Sequence, residues 1–225
     1  MNEGGLVVPA PMTIAEAQQV QHDLRLRVDL TTRLTAPAGT VAGVDVSYES
    51  GTRRVAAAAV LLSLPDLEVV ESALAFGEVN FPYVPGLLAF REIPFILDAL
   101  GRLTRRPDVL ICDGYGVAHP MRFGLACHVG VLTDIPTFGV AKTAFTSTFA
   151  DPDDPRGSWS PLVDDGETVG RALRTQTAVK PVFVSVGHRI GLDEASELTL
   201  GLAPKYRIPE VIRQADHLSR QALRK

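Results

Sequence analysis

The chain is poor in sulfur. Its 225 residues include two cysteines, Cys112 and Cys127, too few for a disulfide framework or for a zinc site of four thiolates. Its five histidines are dispersed: His119 and His128 lie nine positions apart, and His22, His188 and His217 stand alone. That spacing offers no zinc site. No His-x-Glu precedes a Cys-x-x-Cys, which excludes a zinc deaminase. A Walker-type phosphate loop and a Gly-x-Ser-x-Gly elbow are both missing. No uncharged apolar run is long enough to span a bilayer. The opening MNEGGLVVPAPMT lacks a basic region followed by an apolar block, so no secretory leader is expected. These absences predict a soluble, cytoplasmic protein with no membrane partner.

An excess of basic charge is missing too. Twenty-two Lys and Arg face 26 Asp and Glu, for a net charge of −4. As an average, that argues mildly against a protein that grips phosphate backbones. The average is uneven, however. Residues 151–167 hold Asp151, Asp153, Asp154, Asp164, Asp165 and Glu167 against Arg156, a local −5, which leaves the remainder at +1. Residues 201–225 carry six basic residues against two acids.

What is present is an ordinary globular composition, 46% apolar and 21% charged, with length for one sizeable core over residues 1–225. Thr13 and Glu16 have capping-box spacing, and Ala17, Val20, Leu24 and Val28 recur with helical period, predicting a helix from 13 to about 34. Three β-like runs follow, Val41 to Tyr48, Arg54 to Ser63 and Leu67 to Ala75, with separators short enough for antiparallel hairpins. The next expected elements are a helix from Phe90 to Leu103 with Pro94 in its first turn, a strand from Asp108 to Cys112, a buried helix from His119 to Leu132 and a strand from Ile135 to Val140. Residues 151–167 read as an exposed acidic loop. Strands at Val169 to Arg174 and Pro181 to Val186 and helices near 193–200 and 209–223 complete the chain. Hairpin strands followed by alternating helix and strand predict one α/β domain, a mixed sheet with helices on its faces.

Asp45 is the least ordinary residue of this pattern. It lies mid-strand in Val41-Ala42-Gly43-Val44-Asp45-Val46-Ser47-Tyr48, where aspartate is depleted and a buried carboxylate must be paired, hydrogen-bonded or metal-bound. Period two puts it on the face of Val41 and Gly43, and Gly43 leaves room beside it. Asp113 ends the strand Val109 to Cys112, at a carboxyl end where α/β sheets collect ligands; as half of an Asp-Gly pair it is also a plain turn former. Glu92 opens a helix, where an acid complements the dipole, and Lys142 follows the strand Phe138 to Ala141. Each signal alone is weak. Two strand acids, a helix acid and a lysine together suit phosphodiester cleavage with Mg²⁺ or Mn²⁺. In Phe81-Pro82-Tyr83-Val84-Pro85-Gly86 two prolines stiffen a loop around Tyr83, which either plugs the core edge or wedges between bases.

Several blocks of this sequence closely resemble endonuclease V over nearly the whole chain. They are Ala42 to Tyr48, Pro82 to Glu92, Asp113-Gly114-Tyr115-Gly116-Val117-Ala118-His119-Pro120, Gly139 to Lys142, Val184 to Arg189, and Arg207 to Glu210 with Arg213 to Asp216. The resemblance implies a ribonuclease H-like fold. It also implies metal-dependent hydrolysis of the second phosphodiester bond 3′ to deoxyinosine in DNA, leaving 3′-hydroxyl and 5′-phosphate ends, in DNA repair by a monomer. By position it makes Asp45 and Asp113 the Mg²⁺ ligands, with Mn²⁺ as a substitute. Glu92 becomes an acidic partner, Lys142 the lysine beside the scissile phosphate and Asp216 a further residue near the metal. Tyr83 becomes the DNA wedge, and Leu88, Gly116 and His119 the base pocket, with backbone amides around Gly116 reading the base edge. Tyr115 stands where many bacterial relatives have histidine, and Met121 where arginine is frequent; Arg122 is expected to restore that charge. Cys127 replaces a frequent serine, and Thr143 follows the lysine where a basic residue is common. Inosine in RNA is the alternative substrate, and a catalytically silent nucleic-acid-binding module on the same fold is the alternative class.

Overall fold

The computed structural model describes residues 13–224; the reading of residues 1–12 as free of a secretory leader lies outside them. Helix α1, Ile14–Arg25, starts on the expected capping box. Thr13 Oγ1 accepts from the Glu16 amide and Glu16 Oε2 accepts from the Thr13 amide, satisfying two orphan donors of the first turn. The helix stops well short of residue 34. Asp29 ends it by offering the backbone other partners: its carboxylate accepts from the amides and hydroxyls of Thr31 and Thr32, the competition that Asp and Thr mount against a helix ladder.

Eight strands form one sheet in the order β3-β2-β1-β4-β5-β8-β7-β6. Strands β1 (Thr40–Tyr48), β2 (Arg54–Ser63) and β3 (Val69–Glu78) are the antiparallel meander expected. Strand β3 begins at Val69 rather than Leu67, because Leu67 sits in the left-handed region at φ 58°. Strand β1 then pairs in parallel with β4 (Val109–Cys112), which pairs in parallel with β5 (Thr137–Ala141). The antiparallel strands β8 (Val182–His188), β7 (Glu167–Leu173) and β6 (Trp159–Asp164) complete the sheet. The expected mixed sheet flanked by helices is therefore the fold. Among the described residues, no helix is long and apolar enough to cross a membrane.

Three predicted boundaries are corrected. Pro94 lies in the second turn of α2 (Ala89–Gly101), not its first, where its missing N–H frees a carbonyl one turn back. The helix expected from His119 is α3, Leu125–Thr133; residue 122 has φ 54°, a left-handed turn that delays it. The acidic loop at 151–167 is only partly a loop. It contains β6, whose Leu162 is fully buried, and Arg174 fastens its start by donating to the carbonyls of Pro152 and Asp153.

The two sheet faces bury separate cores. On one, Val41, Val60, Val109, Ile111, Phe138 and Val184 pack against helices α4 (Leu192–Gly201) and α5 (Glu210–Leu223). On the other, Ala42, Val44, Leu61, Leu110 and Cys112 pack against α2 and α3. The β2 run Ala56 to Ala59 is fully buried, and its short side chains let helices approach from both sides. Gly43 shows why no larger residue fits: an added Cβ would lie 2.7 Å from the Val211 carbonyl oxygen of α5. The room beside Gly43 belongs to helix backbone rather than to a ligand.

Candidate active site

The parallel register of β1 and β4 ends on Val44 opposite Cys112, so the next residues, Asp45 and Asp113, stand side by side at the strand carboxyl ends. Strand parity gives Asp45 the α5 face. There Ser219 donates to its Oδ2 at 2.9 Å, and Ser219 also shares a 2.7 Å bond with Ser47. Burial pushes the Asp45 carboxyl up to about 6, against the Ser219 bond, and the nearby Asp113 and Asp216 charges push the same way. Lys142, just past β5, reaches back so that Nζ lies 2.5 Å from Asp113 Oδ2.

Glu92 approaches from α2. Its Oε1 accepts from the Tyr48 hydroxyl at 3.1 Å. Burial raises its carboxyl to about 7, opposed by that bond and reinforced by Asp45 and Asp113. Asp216 faces the same groove from α5, held by Arg220 Nε at 2.8 Å. The structure thus brings Asp45, Glu92, Asp113, Lys142 and Asp216 into one region from five elements or their ends.

Among the described residues, no three acid, histidine or cysteine side chains close into a metal cage. Asp45 and Asp113 form an oxygen-only pair whose mutual repulsion a cation would relieve. That donor set fits a hard divalent ion such as Mg²⁺, which binds through one or two carboxylates and keeps water and phosphate oxygens in its other positions. Neither thiol suits such a site, since burial pushes Cys112 upward and Cys127 up to about 12.

Two hollows meet at Lys142. One is a cavity of about 260 Å³ lined by Leu88, Tyr115, His119, Leu125 and Phe145, with Asp113 and Lys142 at its rim. The other is an open groove of about 590 Å³ carrying Asp45, Tyr48, Lys142, Asp216, Arg220 and Arg224. Burial lowers the pKa of His119 to about 4, which favours its neutral ring. Its Nδ1 accepts from the Met121 amide, which puts the ring proton on Nε2 beside the Gly86 backbone. Phe145 stands edge-on to Tyr115 with centroids 5.5 Å apart and tilts onto His119 at 5.7 Å.

Leu88 and His119 therefore line the cavity, whereas Gly116 lies behind it. The Gly116 amide donates to Ser185 Oγ at 2.8 Å, so it is spent and cannot read a base edge. An added Cβ there would meet the Val186 carbonyl oxygen at 1.9 Å, so glycine is required for packing. Arg122 does not restore charge to the pocket either. It is bound by Asp164 at 2.6 Å and Glu167 at 2.9 Å in the β6–β7 hairpin. Tyr83 is 69% exposed, while Phe81 and Val84 of the same loop pack with Ala17, Leu87 and Phe90. Phe81 is the plug, which leaves Tyr83 to project. Sequence reasoning missed Phe145 and Ser219: one sits in a segment without regular structure, and the other reads as an ordinary polar residue of α5.

Fold and site define an α/β nuclease-type domain with an acid cluster at the carboxyl ends of its central strands. The chain belongs to the endonuclease V family, whose model matches residues 22–217. It is 58% identical to endonuclease V of Streptomyces avermitilis over 220 residues, covering 96% of each chain. The crystal structure of the endonuclease V from that organism matches with a TM-score of 0.92 at 57% identity, again over 96% of each chain. The catalytic domain of human endonuclease V matches at TM-score 0.87 and 37% identity, over 96% of this chain and 98% of that one. Ciona intestinalis endonuclease V, crystallised with a 24-mer DNA containing an inosine followed by a ribo-adenosine, matches at TM-score 0.81 and 29% identity, over 94% and 98%.

Proposed function

We propose that this nuclease recognises deoxyinosine in DNA and hydrolyses the second phosphodiester bond on its 3′ side. It would leave 3′-hydroxyl and 5′-phosphate ends and so open a repair reaction. The observation that carries this reading is the pairing of a ring-sized cavity with a separate acid-bearing groove, both reaching Lys142. A base held in the first leaves a neighbouring phosphate for the second, so capture and cleavage fall on different nucleotides.

Inosine pairs weakly, and its extrusion costs a few kcal/mol at most, as an estimate of about that order. Tyr83, projecting from a loop pinned by Arg91 Nη1 on the Phe81 carbonyl, would fill the gap in the stack. The extruded ring would lie among Leu88, Tyr115 and Phe145, with neutral His119 adding an apolar face rather than a charge. Asp45 and Asp113 would hold Mg²⁺, which when bound would supply charge neutralisation at the phosphate and a more acidic water. Lys142 Nζ would add positive charge beside the same phosphate. Glu92 has Oε1 on the Tyr48 hydroxyl, which leaves Oε2 to take a proton from the attacking water. Arg220 and Arg224 give the groove cations for the backbone beyond the cut.

Nicking of an inosine-containing DNA duplex in MgCl₂, with the cut mapped to one nucleotide, tests this reading. A single cut at the second 3′ bond is expected; cutting elsewhere or lesion binding without turnover would overturn it. The ribo-adenosine beside the inosine in the Ciona complex favours one second reading, inosine in RNA. The same assay on an RNA of equal sequence separates the two.

A further inference from the structure

Lys142 is exposed and flexible by nature, yet its main chain is gripped from two sides. From the cavity side, the Tyr115 hydroxyl donates to the Thr143 carbonyl at 3.0 Å. From the α4–α5 connection, Arg207 Nη2 donates to the Lys142 carbonyl at 2.6 Å. Arg207 is further fixed by donating to the carbonyls of Pro181 at 2.7 Å and Lys180 at 2.9 Å. No acid pairs with Arg207 among the described residues, and burial lowers its pKa. An arginine that donates to three main-chain oxygens and pairs with no acid is stationed to hold backbone: its planar fork matches several acceptors at once, which lysine cannot do.

We infer that Tyr115 and Arg207 form a two-sided clamp on the Lys142–Thr143 main chain, positioning residues that aim Lys142 Nζ at Asp113 and couple the base cavity to the phosphate site. The coupling follows from Tyr115 being cavity wall and clamp at once. A ring pressed against Tyr115 and its edge-on neighbour Phe145 steadies the hydroxyl on Thr143, and with it the lysine. Misplacing a catalytic group by an ångström costs on the order of a hundredfold in rate, so a clamp on the main chain of a mobile lysine has a large effect to exert. This inference rests on the proposed function for its link to catalysis, but the clamp itself has a readout that does not.

The test uses Tyr115→Phe, which deletes one hydroxyl, with Arg207→Lys and Arg207→Gln. The first measurement is acylation of Lys142 by an amine-reactive ester, followed by peptide mass spectrometry with Lys205 and Lys225 as internal controls. The Asp113 ion pair shields Nζ, so each variant should label Lys142 about threefold to tenfold faster while the controls stay constant. The second is nicking of the inosine duplex, where kcat should fall about tenfold with KM nearly unchanged, and Arg207→Lys should fall between wild type and Arg207→Gln. Thermal melting checks that the variants are folded. Unchanged labelling and unchanged kcat in folded variants would overturn the clamp. Raised labelling in a protein whose wild type fails to nick would uphold the clamp and discard the proposed function instead.

Discussion

Two regions of this molecule concentrate acid, and they manage it in opposite ways. In the β6–β7 hairpin, Asp164 and Glu167 are matched by Arg122, and Asp151 lies 3.3 Å from Arg174. The Asp164 carboxyl is accordingly held below its ordinary value, chiefly by its bond to Arg122. At the ends of β1 and β4, Asp45 and Asp113 share Lys142 with Glu92 close by, and burial drives Asp45 and Glu92 upward. A matched acid is structural. Acids buried together without enough counter-charge are suited to a cation, and keeping them together costs the fold stability.

The sharpest way to break this contrast is to delete one acid from each region. Asp113→Ala or Asp45→Ala should lower nicking in MgCl₂ by about a thousandfold, whereas Asp164→Ala should leave it intact. Equal losses would erase the distinction. Tyr83→Ala is the next largest effect: lesion binding should weaken by about 1–3 kcal/mol, the scale of one base-stacking side chain, with melting unchanged. Unaltered inosine discrimination would remove the wedge.

Stability should then show effects of opposite sign. Glu92 has a folded pKa near 7, above its unfolded value, so the native state holds the extra proton. Stability is fully present below the unfolded pKa and falls as pH rises toward the folded one. In EDTA at pH 8, Glu92→Gln should therefore raise Tm by about 2–4 °C, while Asp164→Asn should lower it by removing an arginine's partner. Two shifts of the same sign would refute the contrast. The smallest effect is that of chelation on the wild type: EDTA should stop cleavage and leave Tm nearly unchanged, and global unfolding would instead mark a structural metal.

Much of this was legible in the residues. Period two and the hairpin separators place β1 to β3, and Asp45 stands out because nothing in an apolar strand explains it. The acidic segment misled because six acids outweigh Leu162 and Ser160 in composition, whereas the hairpin's order comes from distant arginines. Arg122 and Gly116 misled for a related reason. Position along the chain puts them near the pocket, but a left-handed turn swings one away and a hydrogen bond to Ser185 occupies the other. Phe145 had no local signature at all, and Arg207 showed only as the start of a motif, since what they do depends on partners far away in sequence. The comparison also revises the charge balance. The net −4 includes an acidic segment in which Asp151, Asp164 and Glu167 are tied to arginines and a cluster suited to a metal, so it does not weigh against a nucleic-acid partner.

The contact at Gly43 has one more consequence. Helix α5 carries Asp216, Ser219 and Arg220, and at Gly43 its Val211 main chain comes down directly on β1, beside the side-chain packing of Val211, Ile212 and Ala215. Side-chain spacers can hop between rotamers; a backbone-on-backbone seat cannot. The groove between Asp45 and Asp216 thus opens beside a seat fixed by main-chain contact at Gly43. The smallest residue in the strand acts as the shim that sets the tolerance of the site.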